Sequence, residues 1–156
     1  MFLRISVTLA MGALLATAAD FPKAYGGGKV DEVVWVRLDG GDLLLESVME
    51  IAKEHNITDG AVLTAAGSLE TCKFHGVGGT MTHVTEPVEI LNLGGIIADG
   101  SPHFHVVVSN KARGAFGGHL EDGCKVMGHV ELTIAKFSGS PMTREGPAGG
   151  NALQKK

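Results

Sequence analysis

The sequence predicts an α+β domain in which a mostly antiparallel β-sheet packs against one main helix. One segment, residues 43–56, carries apolar side chains at helical spacing, and it is followed from Gly60 onward by β-rich segments separated by glycines. The 23 glycines and few aromatic residues indicate many tight turns. One helix followed by many strands is typical of α+β proteins.

Length and composition limit the classes of protein to consider. The 156 residues suit one domain, and 44% apolar with 19% charged residues exclude a disordered chain. The 13 basic residues are outnumbered by 17 acidic ones, and no more than two Lys or Arg are adjacent. Such a chain has no field to attract a phosphate backbone, so autonomous DNA binding is not expected.

The N-terminal segment, residues 1–19, has the pattern of a secretory signal peptide. Its one basic residue, Arg4, precedes an apolar stretch and small residues before Asp20. The apolar stretch is too short for a stable membrane span. A cleaved signal would make the protein secreted or periplasmic. The alternatives, a mitochondrial-type presequence or a mis-assigned start, would leave it organellar or cytoplasmic.

The first elements of the domain follow a flexible linker at residues 20–31. The domain is predicted to cover residues 32–140 and to open with the strand EVVWVRL, after which Asp42 is the expected N-cap of the helix. Asn56 is its expected end. One face of this helix is expected to pack on the core through Leu44, Val48, Ile51, Ala52 and His55.

The rest of the domain is predicted to form strands. The β-rich segments, in order, are AVLTAAGSLETCKFHGV, TMTHVT, VEILNLGGIIA, HFHVVVSN, GAFGGHL and CKVMGHVELTIAKF. Residues 141–156 form a tail of low apolar content, and its last residues are expected to fray.

Two cysteines, Cys72 and Cys124, are too far apart in sequence for a C-x-x-C metal or redox motif. In an exported protein they could form a disulfide. As unpaired residues they would act as two small hydrophobic side chains. Sequence alone leaves both alternatives open.

A candidate metal site centres on HFH, residues 103–105. Side chains two residues apart in a strand point to the same face, so His103 and His105 converge. His119 follows two glycines that allow close backbone approach. If its strand pairs with that of His103 and His105, three neutral imidazoles can meet one metal ion, with the fourth position open as in catalytic zinc sites.

The other histidines are weaker candidates. His129 and Glu131 share a strand face and are weak candidates for an acid/base or supporting role beside the metal. His55 suits the negative end of the helix dipole. His75 and His83 lie near turns without a partner at ligand spacing, and we expect neither to be functional.

Taken together, several segments resemble the plants-and-prokaryotes conserved (PPC) domain, which occurs alone in prokaryotes and fused to AT-hooks in plants. They extend from Val33 to Lys136 and comprise VRLDGGDLLLESVMEIAKEHNI, AAGSLETC, VEILNLGGIIADGSPHFHVVVSN, GAFGGHLEDGCKV and HVELTIAKF. The resemblance implies an antiparallel sheet against a helix, assembled as a homotrimer. It also implies a metal, usually zinc, on His103, His105 and His119 near subunit boundaries.

Two functional hypotheses remain at this point. The first is a homotrimeric zinc domain that binds or hydrolyses a small ligand at the three histidines. The second is a non-enzymatic module for protein interaction or assembly, as the plant relatives suggest. No AT-hook of the R-G-R-P type is present, which again argues against DNA as the partner. Three imidazoles also suit copper, nickel or iron.

Overall fold

The computed structural model describes residues 23–145 and 152–156, so the predicted signal peptide lies outside the described residues. The elements in chain order are β1 (Lys29–Asp39), α1 (Leu44–Glu54), β2 (Gly60–His75), β3 (Met81–Val84), β4 (Val88–Ala98), β5 (Ser101–Asn110), β6 (Gly114–Leu120), β7 (Lys125–Ser138), β8 (Met142–Glu145) and β9 (Ala152–Lys155). The predicted architecture of strands with a single helix is confirmed for this part of the chain.

Seven of the strands form one sheet in which every pairing is antiparallel. The strand order is β1-β7-β2-β4-β5-β6, with β3 paired to β2. The last residues of β6 also pair with the end of β2, so β6 lies beside both β5 and β2. Side chains from distant parts of the sequence therefore meet at this end of the sheet.

Helix α1 packs its apolar face into the core as its periodicity predicts. Leu44, Val48 and Ala52 are buried there. The expected cap is wrong, because Leu43 occupies the N-cap position and makes no side-chain hydrogen bond. The Asp42 carboxylate instead accepts a hydrogen bond from the backbone N–H of Asp39 at 2.8 Å, which closes the turn after β1.

Both ends of the described chain are more ordered than the sequence suggested. Strand β1 begins at Lys29, inside the segment predicted to be a linker. In the tail, β8 and β9 pair as a separate two-stranded sheet. The Lys156 ammonium also donates to the Asp99 carboxylate at 2.7 Å. Backbone pairing holds this hairpin together despite its low apolar content.

The outer face of the sheet, opposite the core, carries exposed apolar side chains. On β1 the buried residues Val34, Val36 and Leu38 alternate with exposed ones, and Trp35 is 84% exposed. Further large apolar residues are exposed at Val33, Leu63, Leu91 and Met127. Among the described residues no helix is long and apolar enough to cross a membrane.

Candidate metal centre

Strands β5 and β6 bring three histidines to one place. His103 and His105 lie two residues apart on β5, and His105 is the direct register partner of His119 on β6. The strand pairing that the site requires is therefore present. His105 is exposed, while the other two are half-buried, so the cluster is open to solvent on one side.

The spacing of the three imidazoles fits a metal ion. The nitrogen atoms that each ring offers all lie within 4.8 Å of one another. The Nε2 atoms of His103 and His105 are 3.3 Å apart. Two nitrogens bound tetrahedrally to one zinc at about 2.0–2.1 Å are separated by about 3.3 Å. Small rotations of the His119 ring would complete a three-nitrogen ligand set.

Glycines allow the strands around the cluster to approach closely. A Cβ atom on Gly117 would overlap the Val106 carbonyl oxygen of β5, and one on Gly118 would overlap the His75 carbonyl oxygen of β2. The two glycines before His119 thus allow β6 to lie close to both β5 and β2. This matches the role expected from the sequence.

We expect Gly117→Ala to destabilise the fold and weaken metal uptake together. The added methyl collides with backbone, which cannot rotate away as a side chain can, so the cost is roughly 1–3 kcal/mol. Thermal unfolding and zinc titration measure both effects. Gly76→Ala is the matched control, since nothing lies within 4 Å of the added atom. Equal stability of the two variants would contradict the assigned backbone contact.

His75 and Glu121, which the sequence did not single out as functional, also belong to this centre. His75 of β2 pairs in register with His119, and their ring centroids are 4.6 Å apart. His75 Nδ1 is 2.5 Å from the Glu121 carboxylate. The sequence did not predict this contact because β2 and β6 are far apart in the chain. Its one signal was the pair of glycines before His119, which indicated that another strand comes close. A cleft lined by all four histidines results.

The surroundings favour the neutral form of two of the imidazoles. Burial lowers the pKa of His103, and the positive charge of Arg144 lowers it further. Burial also lowers the pKa of His119, with an added contribution from His75. A neutral imidazole has the lone pair that a metal ligand needs.

These directions predict how acid affects the metal-free protein. Each of the two histidines has a lower pKa in the folded chain than its value of about 6.5 in the unfolded chain. At a pH between these two pKa values, the unfolded chain therefore binds more protons than the folded chain. Their contribution to stability is complete above about pH 6.5 and is lost as pH falls. We expect the Tm to fall from pH 7.5 to 5.5. The fall should be smaller in a His103→Gln/His119→Gln double variant, and an equal fall would contradict the assignment.

The two candidates for acid/base work are elsewhere. His129 pairs with Asp39, and Glu131 pairs with Arg37, because β7 lies between β1 and β2. Glu131 lines a cleft with Trp35 on the outer face instead of the histidine cleft. Within one chain, neither residue is brought to the three histidines.

The two remaining histidines, His55 and His83, lie outside the three-histidine cluster. His55 ends α1, and its Nδ1 lies 3.3 Å from the Glu32 carboxylate. His83 is exposed on β3, opposite Lys73 of β2.

Comparison with known proteins identifies the domain. The model of the Plants and Prokaryotes Conserved (PCC) domain, the family abbreviated PPC above, matches residues 25–138. The chain belongs to this family. All three clustered histidines lie within the PCC domain, whereas Arg144 and the β8–β9 hairpin follow it.

Part of the chain is also similar to a segment of a much larger protein. The chain is 30% identical over 112 residues to the bifunctional protein GlmU of Synechococcus sp. (strain JA-2-3B'a(2-13)), a match that covers 68% of this chain. It spans only 18% of GlmU, so about a fifth of that protein's length is shared.

Solved structures share the PCC fold at low sequence identity. A plant- and prokaryote-conserved protein of Pyrococcus horikoshii has a TM-score of 0.71 at 22% identity, covering 86% of this chain and 98% of that one. A protein of Archaeoglobus fulgidus described as metal-containing has a TM-score of 0.71 at 23% identity, covering 86% and 99%. A Bacteroides thetaiotaomicron protein, provisionally described as DNA-binding, has a TM-score of 0.68 at 18% identity, covering 86% and 98%.

Proposed function

We propose that this PCC-domain protein binds one zinc ion per chain through His103, His105 and His119 and acts there on a small ligand. The observation that carries the proposal is the convergence of three imidazoles, two of them at the nitrogen spacing of a tetrahedral zinc site. The Archaeoglobus neighbour described as metal-containing is consistent with it.

The residues around the three histidines have distinct roles in this proposal. Zinc supplies a Lewis acid that lowers the pKa of a coordinated water to about 7. The Glu121 carboxylate holds the His75 ring beside His119. The fixed His75 ring then restricts rotation of the His119 imidazole. The positive charge of Arg144 acts on both His103 and His119, which favours an anionic ligand in the cleft.

We further propose that the protein is a homotrimer joined through the outer face of the sheet. A tryptophan that is 84% exposed, with other apolar residues on the same strand face, is unusual for a surface that faces only water. The resemblance to the PPC domain implies a homotrimer, without naming the face through which its subunits meet. Strand β1 lies at the edge of the sheet, and a trimer would also hinder strands of other molecules from pairing with it.

The experiment that tests the zinc proposal is elemental analysis of tag-free protein purified without chelators. We expect about one zinc per chain, or uptake of one equivalent when zinc is offered to the metal-free protein. Competing uptake of copper, nickel and iron shows which metal the site prefers. Folded protein that contains no metal and takes up none would overturn the proposal.

Hydrolysis is the reaction class to test once zinc is found. A panel of ester, amide and phosphoester substrates should include anionic members, because of the charge of Arg144. Turnover that is lost with the metal would support an enzyme. No metal-dependent turnover across the panel would leave zinc as a binding or structural ion.

A second candidate function is a non-enzymatic interaction module, and the exposed outer face favours it. In that case a partner should be retained equally by zinc-loaded and metal-free protein in a pull-down. Direct DNA binding is the least favoured alternative, given the net charge of −4. A gel shift at moderate salt with PCC-domain protein would reverse that order.

A further inference from the structure

Cys72 and Cys124 are the only cysteines of the sequence, and the structure places them side by side. Thr71 of β2 pairs with Lys125 of β7, and Cys72 and Cys124 are the next residues beyond this pair. Their Sγ atoms are 3.0 Å apart, although 52 positions separate them in the chain. Both residues are fully buried.

This arrangement meets the geometric needs of a disulfide. Antiparallel partners such as the adjoining Thr71 and Lys125 have Cα atoms about 4.5–5.5 Å apart, inside the range of about 4.4–6.8 Å that disulfides span. The sulfur atoms need to approach by about 1 Å to reach bonding distance.

The two thiols are also chemically unequal. The backbone N–H of Lys73 donates to Cys124 Sγ at 3.0 Å. Hydrogen bonds from the Cys72 thiol and from this N–H lower the pKa of Cys124, whereas the bond to Cys124 and burial raise that of Cys72. In the folded chain the Lys73 N–H is placed to stabilise a thiolate on Cys124.

We propose that Cys72 and Cys124 form a disulfide when the chain folds in the presence of an external disulfide, such as glutathione disulfide or an oxidised thiol–disulfide oxidoreductase. The thiolate of one cysteine attacks the external disulfide and releases one thiol, and the other cysteine then displaces the second. One S–S bond forms in the protein and one breaks in the oxidant. The two thiol protons of the protein end on the two released thiols.

The bond would fasten the segments that carry the metal centre. Cys72 lies three residues before His75 on β2, and Cys124 ends the turn that contains Glu121 and follows His119. Closing a loop of this length removes conformational entropy from the unfolded chain. Because both thiols are buried, the oxidant reaches them before the core closes or during local opening.

The test uses the full chain, reduced, unfolded and then refolded with reduced and oxidised glutathione. We expect a mass loss of about 2 Da, no thiol left to alkylate once the protein is unfolded in denaturant, and a peptide map that links the two cysteines. The Tm should exceed that of the reduced protein by roughly 10 °C. The matched controls, Cys72→Ala and Cys124→Ala, should show no such difference between oxidising and reducing buffer.

Refolded protein in which both thiols are alkylated after unfolding in denaturant would overturn the proposal. If the chain does not refold, reduced native protein is incubated with glutathione disulfide in mild urea, which increases local opening. The same mass and peptide-map readouts then decide, and two free thiols would again count against the disulfide. Neither experiment depends on whether the three histidines hold zinc.

Discussion

His105→Ala is expected to lower zinc affinity by at least roughly a hundredfold and to leave purified protein nearly metal-free. With one imidazole removed, only two of the three clustered nitrogens remain to hold the ion. His105 is exposed, so its truncation removes little buried surface and the fold should persist. Elemental analysis and a competition titration against a zinc chelator measure the loss.

The matched control is His83→Ala, an equally exposed histidine on β3 outside the cluster. It should keep the zinc content of the unmodified protein. Circular dichroism and Tm on both variants separate a lost ligand from a lost fold. Zinc retained at full affinity by His105→Ala would mean that the ion is bound elsewhere, and the three-histidine site would have to be abandoned.

Trp35→Arg is expected to convert the proposed trimer to monomers at micromolar concentration. The tryptophan is 84% exposed within one chain, so its indole can be covered only by another molecule. Burying large aromatic side chains often dominates the energy of an interface, and a cation in place of the indole would have to lose its hydration to be buried there. Light scattering coupled to size exclusion measures the mass directly.

Glu50→Arg provides the control for this substitution. It introduces the same side chain at an exposed position of α1, which packs on the opposite side of the sheet. Its assembly should match that of the unmodified protein. A monomeric unmodified protein, or a trimer that tolerates Trp35→Arg, would show that the outer face is not the subunit interface. The exposed face would then have to be assigned to another partner.

Local patterns in the sequence were sufficient to predict helix α1, most of β1, strands β2 to β7 and part of the candidate site. The helical spacing of Leu44, Val48 and Ala52 predicted which face of α1 is buried. The two-residue period of a strand predicted that His103 and His105 point the same way. The glycines before His119 predicted a close approach of backbones, which Gly117 makes to Val106.

Local patterns also misplaced some features. Asp42 is a good N-cap residue, yet its carboxylate is used by the turn after β1, so Leu43 occupies the cap position. His129 and Glu131 are residues that can act as an acid or base, and they share a strand. The strand order places that strand, β7, between β1 and β2, so within one chain they lie away from the three histidines. A side chain's neighbours across a sheet depend on that order, which the chemistry of its own segment does not specify.

The sequence by itself therefore determined the class of fold, the family and the pair of histidines on one strand. Only the tertiary structure decided that His119 lies opposite His105, that His75 joins them, and that Cys72 meets Cys124. The physical reason is the range of the interactions. Helical and strand periodicity acts within a few residues, whereas strand order and register follow from burying one shared core across the whole chain.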